Sequence, residues 1–276
     1  MRDAAATPRP DVGGLAGLAA IVALLACGGS AAAPAPTPAE PPPPPAPVAA
    51  KRTGPPPRGG TQQSPEAIEA TLTAAAELRE AGQLSAAIEA LAPCANKAPP
   101  SPRCDGEVGM LYARLRTAPK LTAYYLDEAA ARDDPKADLQ WWRDLAAVAQ
   151  RVGRHDAAAN AYAYALTRDG DHLHDWIGRS EAFQAANGRV NEAIVALDEA
   201  IELAPQRHDL WFDKATLLAL TADQSAALEA FEHFLTIVPA DHPTAEIARD
   251  RVPQIRARLG LPEAPAAPAE TESAAP

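Results

Sequence analysis

Histidines and aspartates gather at three places: Asp171, His172, His174 and Asp175, then His208 and Asp209, then Asp241 and His242. Imidazoles and carboxylates at short spacing could ligate a metal such as zinc or serve as acid and base. His172 with His174 is the best-suited pair by residue type. No fixed ligand spacing recurs among the three clusters, and polar turns recruit such residues as N-caps and turn formers. The sequence has no His-Glu-x-x-His, no glycine-rich phosphate loop and no nucleophile elbow. No serine or cysteine has a base and an orienting group beside it in the pattern. The chain therefore reads as a non-enzyme with no cofactor and no metal.

Cysteine is the other reactive residue, and there are three. Residues 15–26 form an apolar run of signal-peptide length, too short to span a bilayer. It ends Leu24-Leu25-Ala26-Cys27, which resembles the lipobox of bacterial lipoproteins. That resemblance implies removal of residues 1–26 and acylation of Cys27, which becomes the first mature residue. Gly28 stands where inner-membrane retention shows aspartate, so the resemblance implies the outer membrane, facing the periplasm or the cell surface. An ordinary cleaved signal with a chance cysteine is the alternative. Cys94 and Cys104 are left, on either side of Pro99, Pro100 and Pro102. In an oxidising compartment they read as a disulfide; the other reading is two small core residues that never pair.

What would position any of these groups is a repeat. Trp142, Trp176 and Trp211 recur about every 34 residues, the period of a helical hairpin unit. Trp142 is followed by Ala146, Gly153, Ala158, Tyr162, Ala165 and Gly170. Trp176 is followed by Ser180, Phe183, Gly188, Ala193, Leu197, Ala200 and Pro205. Trp211 is followed by Ala215, Leu218, Ala222, Ala227, Phe231, Phe234 and Pro239. The series of large residue, small residue, turn glycine, alanine, aromatic, alanine and proline resembles the tetratricopeptide repeat (TPR). The resemblance implies an all-α fold: a right-handed superhelical solenoid of antiparallel helix pairs with a C-terminal capping helix. Helix pairs of this length bury their apolar faces by stacking. Trp142, Tyr162, Trp211 and Phe231 should lie buried between helices.

The flanks are read from composition. Residues 27–63 are a proline-rich linker, disordered and biased to polyproline II. At ~3.1 Å per residue it could reach on the order of 100 Å. Ser64-Pro65-Glu66 is a helix start, so the solenoid should run over residues 64–260. Gly82, Ala87, Leu91 and Cys94 repeat the spacing of Gly153, Ala158, Tyr162 and Ala165, which makes a first, capping unit. A degenerate pair is expected near residues 108–115 and 121–132, with Pro135 as its stop. A last helix should run from His242-Pro243 to about residue 259, and residues 261–276 should be a disordered Ala/Pro/Glu tail.

A net charge of −11 argues against nucleic acid as a partner. The partner is expected to be a protein of the envelope, with the membrane reached through the lipid. In the TPR family the first helix of each pair lines the concave face. By that resemblance the groove falls on Gln140, Arg143, Ala147 and Gln150; on His174, Ile177, Glu181 and Gln184; and on Asp209, Phe212, Thr216 and Ala219. Arg143 and Phe212 are the expected anchors; alternatively Phe212 only covers the final helix. The expected role is an envelope scaffold or assembly factor. The alternative is a structural tether between outer membrane and cell wall.

Overall fold

The computed structural model describes residues 63–262. Cys27, the apolar run before it, most of the proline-rich stretch and the tail from residue 263 lie outside the described residues. Those described form eleven helices and no strand. In order they are α1 (Pro65–Glu80), α2 (Leu84–Leu91), α3 (Pro102–Leu115), α4 (Pro119–Ala130), α5 (Leu139–Arg151), α6 (His155–Leu166), α7 (Leu173–Ala185), α8 (Val190–Leu203), α9 (His208–Ala219), α10 (Gln224–Ile237) and α11 (Pro243–Arg258). Consecutive helices pack as antiparallel pairs, α1 with α2 through α9 with α10, and α11 closes on α10. This is a TPR-like α-solenoid. Among the described residues no helix is long and apolar enough to cross a membrane.

Local sequence sets the ends of these helices. Ser64 caps α1, its Oγ accepting from the Ala67 N–H at 3.2 Å, with Pro65 in the first turn. The turn glycines are left-handed where hairpins close, with φ of +76° at Gly82, +75° at Gly153 and +84° at Gly188. At the first two of these turns the next N–H reaches back five residues, Gln83 to Leu78 O and Arg154 to Ala149 O. The α9–α10 turn has Ala222 instead. There Asp223 caps α10, and the Gln224 amide donates to the carbonyls of Ala219 and Thr221.

The degenerate pair is the one place where the expected boundaries shift. α3 begins at Pro102, six residues before the expected start, because Ser101 is an N-cap whose Oγ accepts from the Cys104 N–H. Ser101-Pro102 repeats the Ser64-Pro65 signal, so Cys104 sits in a helix rather than beyond a loop. α4 ends at Ala130, ahead of Pro135.

Small residues let the helices approach: Ala146, Ala158, Ala165, Ala193, Ala200, Ala215 and Ala227 are all fully buried. Buried Ser180 replaces an alanine and donates its hydroxyl to the Ala193 carbonyl across the α7–α8 pair. Arginines at the starts of second helices link them to the second helix before. Arg154, before α6, pairs with Asp127 of α4, and Arg189, before α8, pairs with Asp156 of α6.

The tryptophans correct one expectation. Trp142 and Phe231 are buried, but Tyr162, Trp176 and Trp211 are only partly so. Trp176 and Trp211 lie over the repeat junction. Their indole N–H groups donate to the carbonyls six residues earlier, Gly170 O at 2.7 Å and Pro205 O at 2.9 Å. Trp142 turns inward against Tyr164 instead, and its Nε1 has no hydrogen-bond partner.

Candidate interaction face

The twelve groove positions occupy one side of α5, α7 and α9, and none of them is buried. Several are joined to one another. Gln150 accepts from the Tyr162 hydroxyl at 3.3 Å and donates to Glu181 at 3.0 Å, bridging α5 to α7. Burial first, then the Glu181 and Asp175 carboxylates, hold the Tyr162 hydroxyl above its ordinary pKa. Gln140 donates to Asp144, Gln184 to the Ser180 hydroxyl, Thr216 to the Phe212 carbonyl, and Asp209 pairs with Arg207. His174 and Glu181 are exposed, and Ile177 packs at the edge of the core.

Arg143 is placed differently from its expected role. Its guanidinium is already engaged by Asp175, with Nε 2.8 Å from Oδ2, and by Asp169 at 3.0 Å. The Asp175 side chain is only 3% exposed, so this is a strut between α5 and α7 rather than an open anchor for a partner. Phe212 meets Phe234 at 5.2 Å and Phe231 at 6.1 Å. It lines a 220 Å³ recess with Ile247 and Ile255 of α11, so it does cover the final helix, while keeping an exposed edge.

Three residues after each tryptophan the chain places Leu145, Arg179 and Lys214. Lys214 lies over the Trp211 ring and pairs with Asp198. Arg179 is 5% exposed and lies over both Trp176 (5.6 Å) and Phe183 (5.3 Å). Burial, then the neighbouring Arg189, pulls its pKa down to about 10, which leaves it charged at neutral pH.

The junction histidines do not converge into a ligand set. His172 and His174 stand 5.7 Å apart by ring centroid, but His172 Nδ1 faces Asp175 at 3.2 Å, the carboxylate that Arg143 engages. Among the described residues no three metal-ligating side chains come together.

Cys94 and Cys104 are joined by a disulfide, Cα to Cα 5.9 Å, which closes the loop between α2 and α3. Beside it is a buried polar cluster with no mark in the sequence pattern. Asp105, 2% exposed, accepts from the Asn96 N–H at 2.6 Å, and the Tyr124 hydroxyl donates to Asn96 Oδ1 at 2.7 Å. Burial, with Glu128 adding to it, raises the Asp105 carboxyl to about 7, against the lowering effect of the Asn96 N–H and Arg132.

A further part of the face extends from the α5 stripe, whose Gln140 and Ala147 it includes. α1, α3 and α5 enclose an open trough of 620 Å³, with Met110, Trp141 and Val148 in its lining. Trp141 packs on Gly106, where a Cβ would collide with its ring, and donates its indole N–H to Glu107 at 3.0 Å. Arg79 holds the same carboxylate at 2.8 Å. Sequence reasoning missed this site because the α3 register was open and Trp141 stands beside the repeat tryptophan. The helix start at Ser101-Pro102 was the available signal.

No protein-family model matches the chain, and no curated protein is similar to it. Among solved structures it is similar to YrrB, described as a TPR protein with an unusual peptide-binding site, at 17% identity. That match covers 67% of this chain and 96% of YrrB, with a TM-score of 0.44. It is also similar to MamA, at 14% identity over 73% of this chain and 100% of that one, TM-score 0.40. A MamA structure from Desulfovibrio magneticus RS-1 gives 14% identity over 62% of this chain and 95% of that one, TM-score 0.37. The fold assignment rests on the helix pairs themselves.

Proposed function

We propose that this chain is a protein-binding scaffold or assembly factor of the bacterial cell envelope, held to the outer membrane through a lipid on Cys27. The observation that carries the binding role is the open 620 Å³ trough on the first-helix side, continuous in helix order with the unburied positions of α5, α7 and α9. A partly apolar cavity of that size is in the range of ligand sites. The anchoring rests on the apolar run ending Leu24-Leu25-Ala26-Cys27, and the Cys94–Cys104 disulfide fits an oxidising compartment.

The test of binding is a photo-reactive residue placed at exposed Ala147 and, as a control, at exposed Val195 of α8. One discrete protein adduct from Ala147 and none from Val195 is expected. Equal labelling from both positions, or adducts to wall material alone, would favour a tether. The test of anchoring is Cys27→Ser, which should release the protein from membranes. Retention of the variant in the outer-membrane fraction would exclude the lipid anchor.

A further inference from the structure

The trough between α1, α3 and α5 has two electrically different ends. At one end stand Arg114, the penultimate residue of α3, and Arg151, the last of α5. Both are exposed and both line the cavity. Among the described residues neither has a hydrogen bond or ion pair. A basic residue suits the last turn of a helix, which accounts for each alone. It does not account for two unpaired guanidiniums facing one cavity. At the other end stands Asp138, which caps α5 through the Trp141 N–H at 2.7 Å, while Asp144, near the middle of α5, accepts from Gln140. Glu107 between them is neutralised by Arg79. Between the two ends Met110, Trp141 and Val148, packed at the core's edge, form an apolar strip beside the polar Gln140 and Asp144.

We infer that this trough seats a segment of a partner protein that carries an acidic pair at one end, an apolar residue in the middle and a basic residue at the other. The acidic end lies against Arg114 and Arg151, so the segment binds in one direction only. The inference rests on the scaffold reading above and adds the chemistry and orientation of what is bound. Complementary charge sets register and suppresses reversed binding more than it adds raw affinity. The apolar centre supplies the buried contact.

The experiment uses the full-length chain in detergent and three acetylated, amidated fluorescent peptides followed by anisotropy. Lys-Ser-Phe-Leu-Ala-Glu-Glu should bind saturably. Lys-Ser-Ser-Ser-Ala-Glu-Glu should bind at least about tenfold more weakly. Arg114→Glu with Arg151→Glu should lose the first peptide by a similar factor and gain affinity for Glu-Ser-Phe-Leu-Ala-Lys-Lys. The pair Arg114→Gln with Arg151→Gln, checked for native helicity, guards against misfolding of the reversal variant. Equal affinity for all three peptides, no saturation by about 1 mM, or no effect of either pair would overturn the inference. The Ala147 cross-link separates the two claims. An adduct that persists in the Arg114→Glu, Arg151→Glu protein leaves the scaffold standing and removes this seat, whereas loss of both peptide binding and cross-linking in the parent chain removes both.

Discussion

Arg143 on α5 reaches Asp175 on α7 with its Nε 2.8 Å from a carboxylate that is 3% exposed. Stripped of that cation, the buried Asp175 carboxylate keeps only His172 at 3.2 Å, at a cost of up to about 3–5 kcal/mol. Arg143→Ala should therefore destabilise the α5–α7 junction by roughly that amount in denaturant unfolding. Removing Asp175 as well should recover part of the loss, giving a large coupling energy in the double-mutant cycle. A single variant within about 0.5 kcal/mol of the parent would contradict the strut.

Asp105 makes stability depend on pH in the direction opposite to most carboxylates. Its folded pKa, about 7, lies above the unfolded value near 3.9, so the folded state holds the proton more tightly. The resulting stabilisation is fully present below about pH 4 and is lost as pH rises through 7. At pH 8 the charged carboxylate is a burden of roughly 3–4 kcal/mol. Asp105→Asn keeps an acceptor for the Asn96 N–H and should flatten the fall in stability between pH 5 and pH 8. Identical slopes for parent and variant would show that another group sets it.

Tyr162 of α6 lies across Gly178 of α7, where an added Cβ would sit 2.5 Å from the ring. Gly178→Ala must displace a ring whose hydroxyl also holds Gln150, at a cost of about 1–3 kcal/mol. Tyr162→Leu in the same chain should relieve much of that strain. Additive losses in thermal unfolding would show that the two sites do not share the contact.

These three relationships mark where sequence reading reaches its limit. Ser64-Pro65, Gly153 and Gly188 were legible because caps and turns are decided within a few residues. The buried alanines were legible because close helix packing demands them at a fixed period. Asp175 meets Arg143 and Gly178 meets Tyr162 across separate helices, and neither pairing follows from the spacing of one repeat. The start of α3 was missed for a different reason. Pro99 and Pro100 carry a loop signal that runs straight into the Ser101-Pro102 cap, with no residue between to separate the two. The trough depends in part on that same helix start, since Glu107 joins Met110 and Arg114 on a helix only when α3 begins at Pro102.

The last helix gives the final prediction. α11 buries Ala245, Ala248, Val252 and Ile255 against α10, in one cluster with Phe231 and Phe234. Two alanines with no exposed surface allow a close approach to α10, so Phe234, itself fully buried, depends on this cover. Arg256 pairs with Glu232 of α10, and Arg249 donates to the Ala240 carbonyl. In a repeat array the terminal element protects the apolar edge of its neighbour, and loss of the cap spreads inward. Val252→Asp with Ile255→Asp places two carboxylates in the seam and should detach α11. The expected result is new dye-accessible apolar surface and loss of amide protection in α9 and α10, while α1–α3, whose core is a separate cluster around Leu91 and Leu111, keep theirs. Arg256→Ala, which removes only a partly exposed pair, should change protection by less than about 1 kcal/mol. Unchanged protection of α10 in the double aspartate variant would mean that α11 does not cap the array, and uniform loss from α1 to α11 would mean that the solenoid unfolds as one unit.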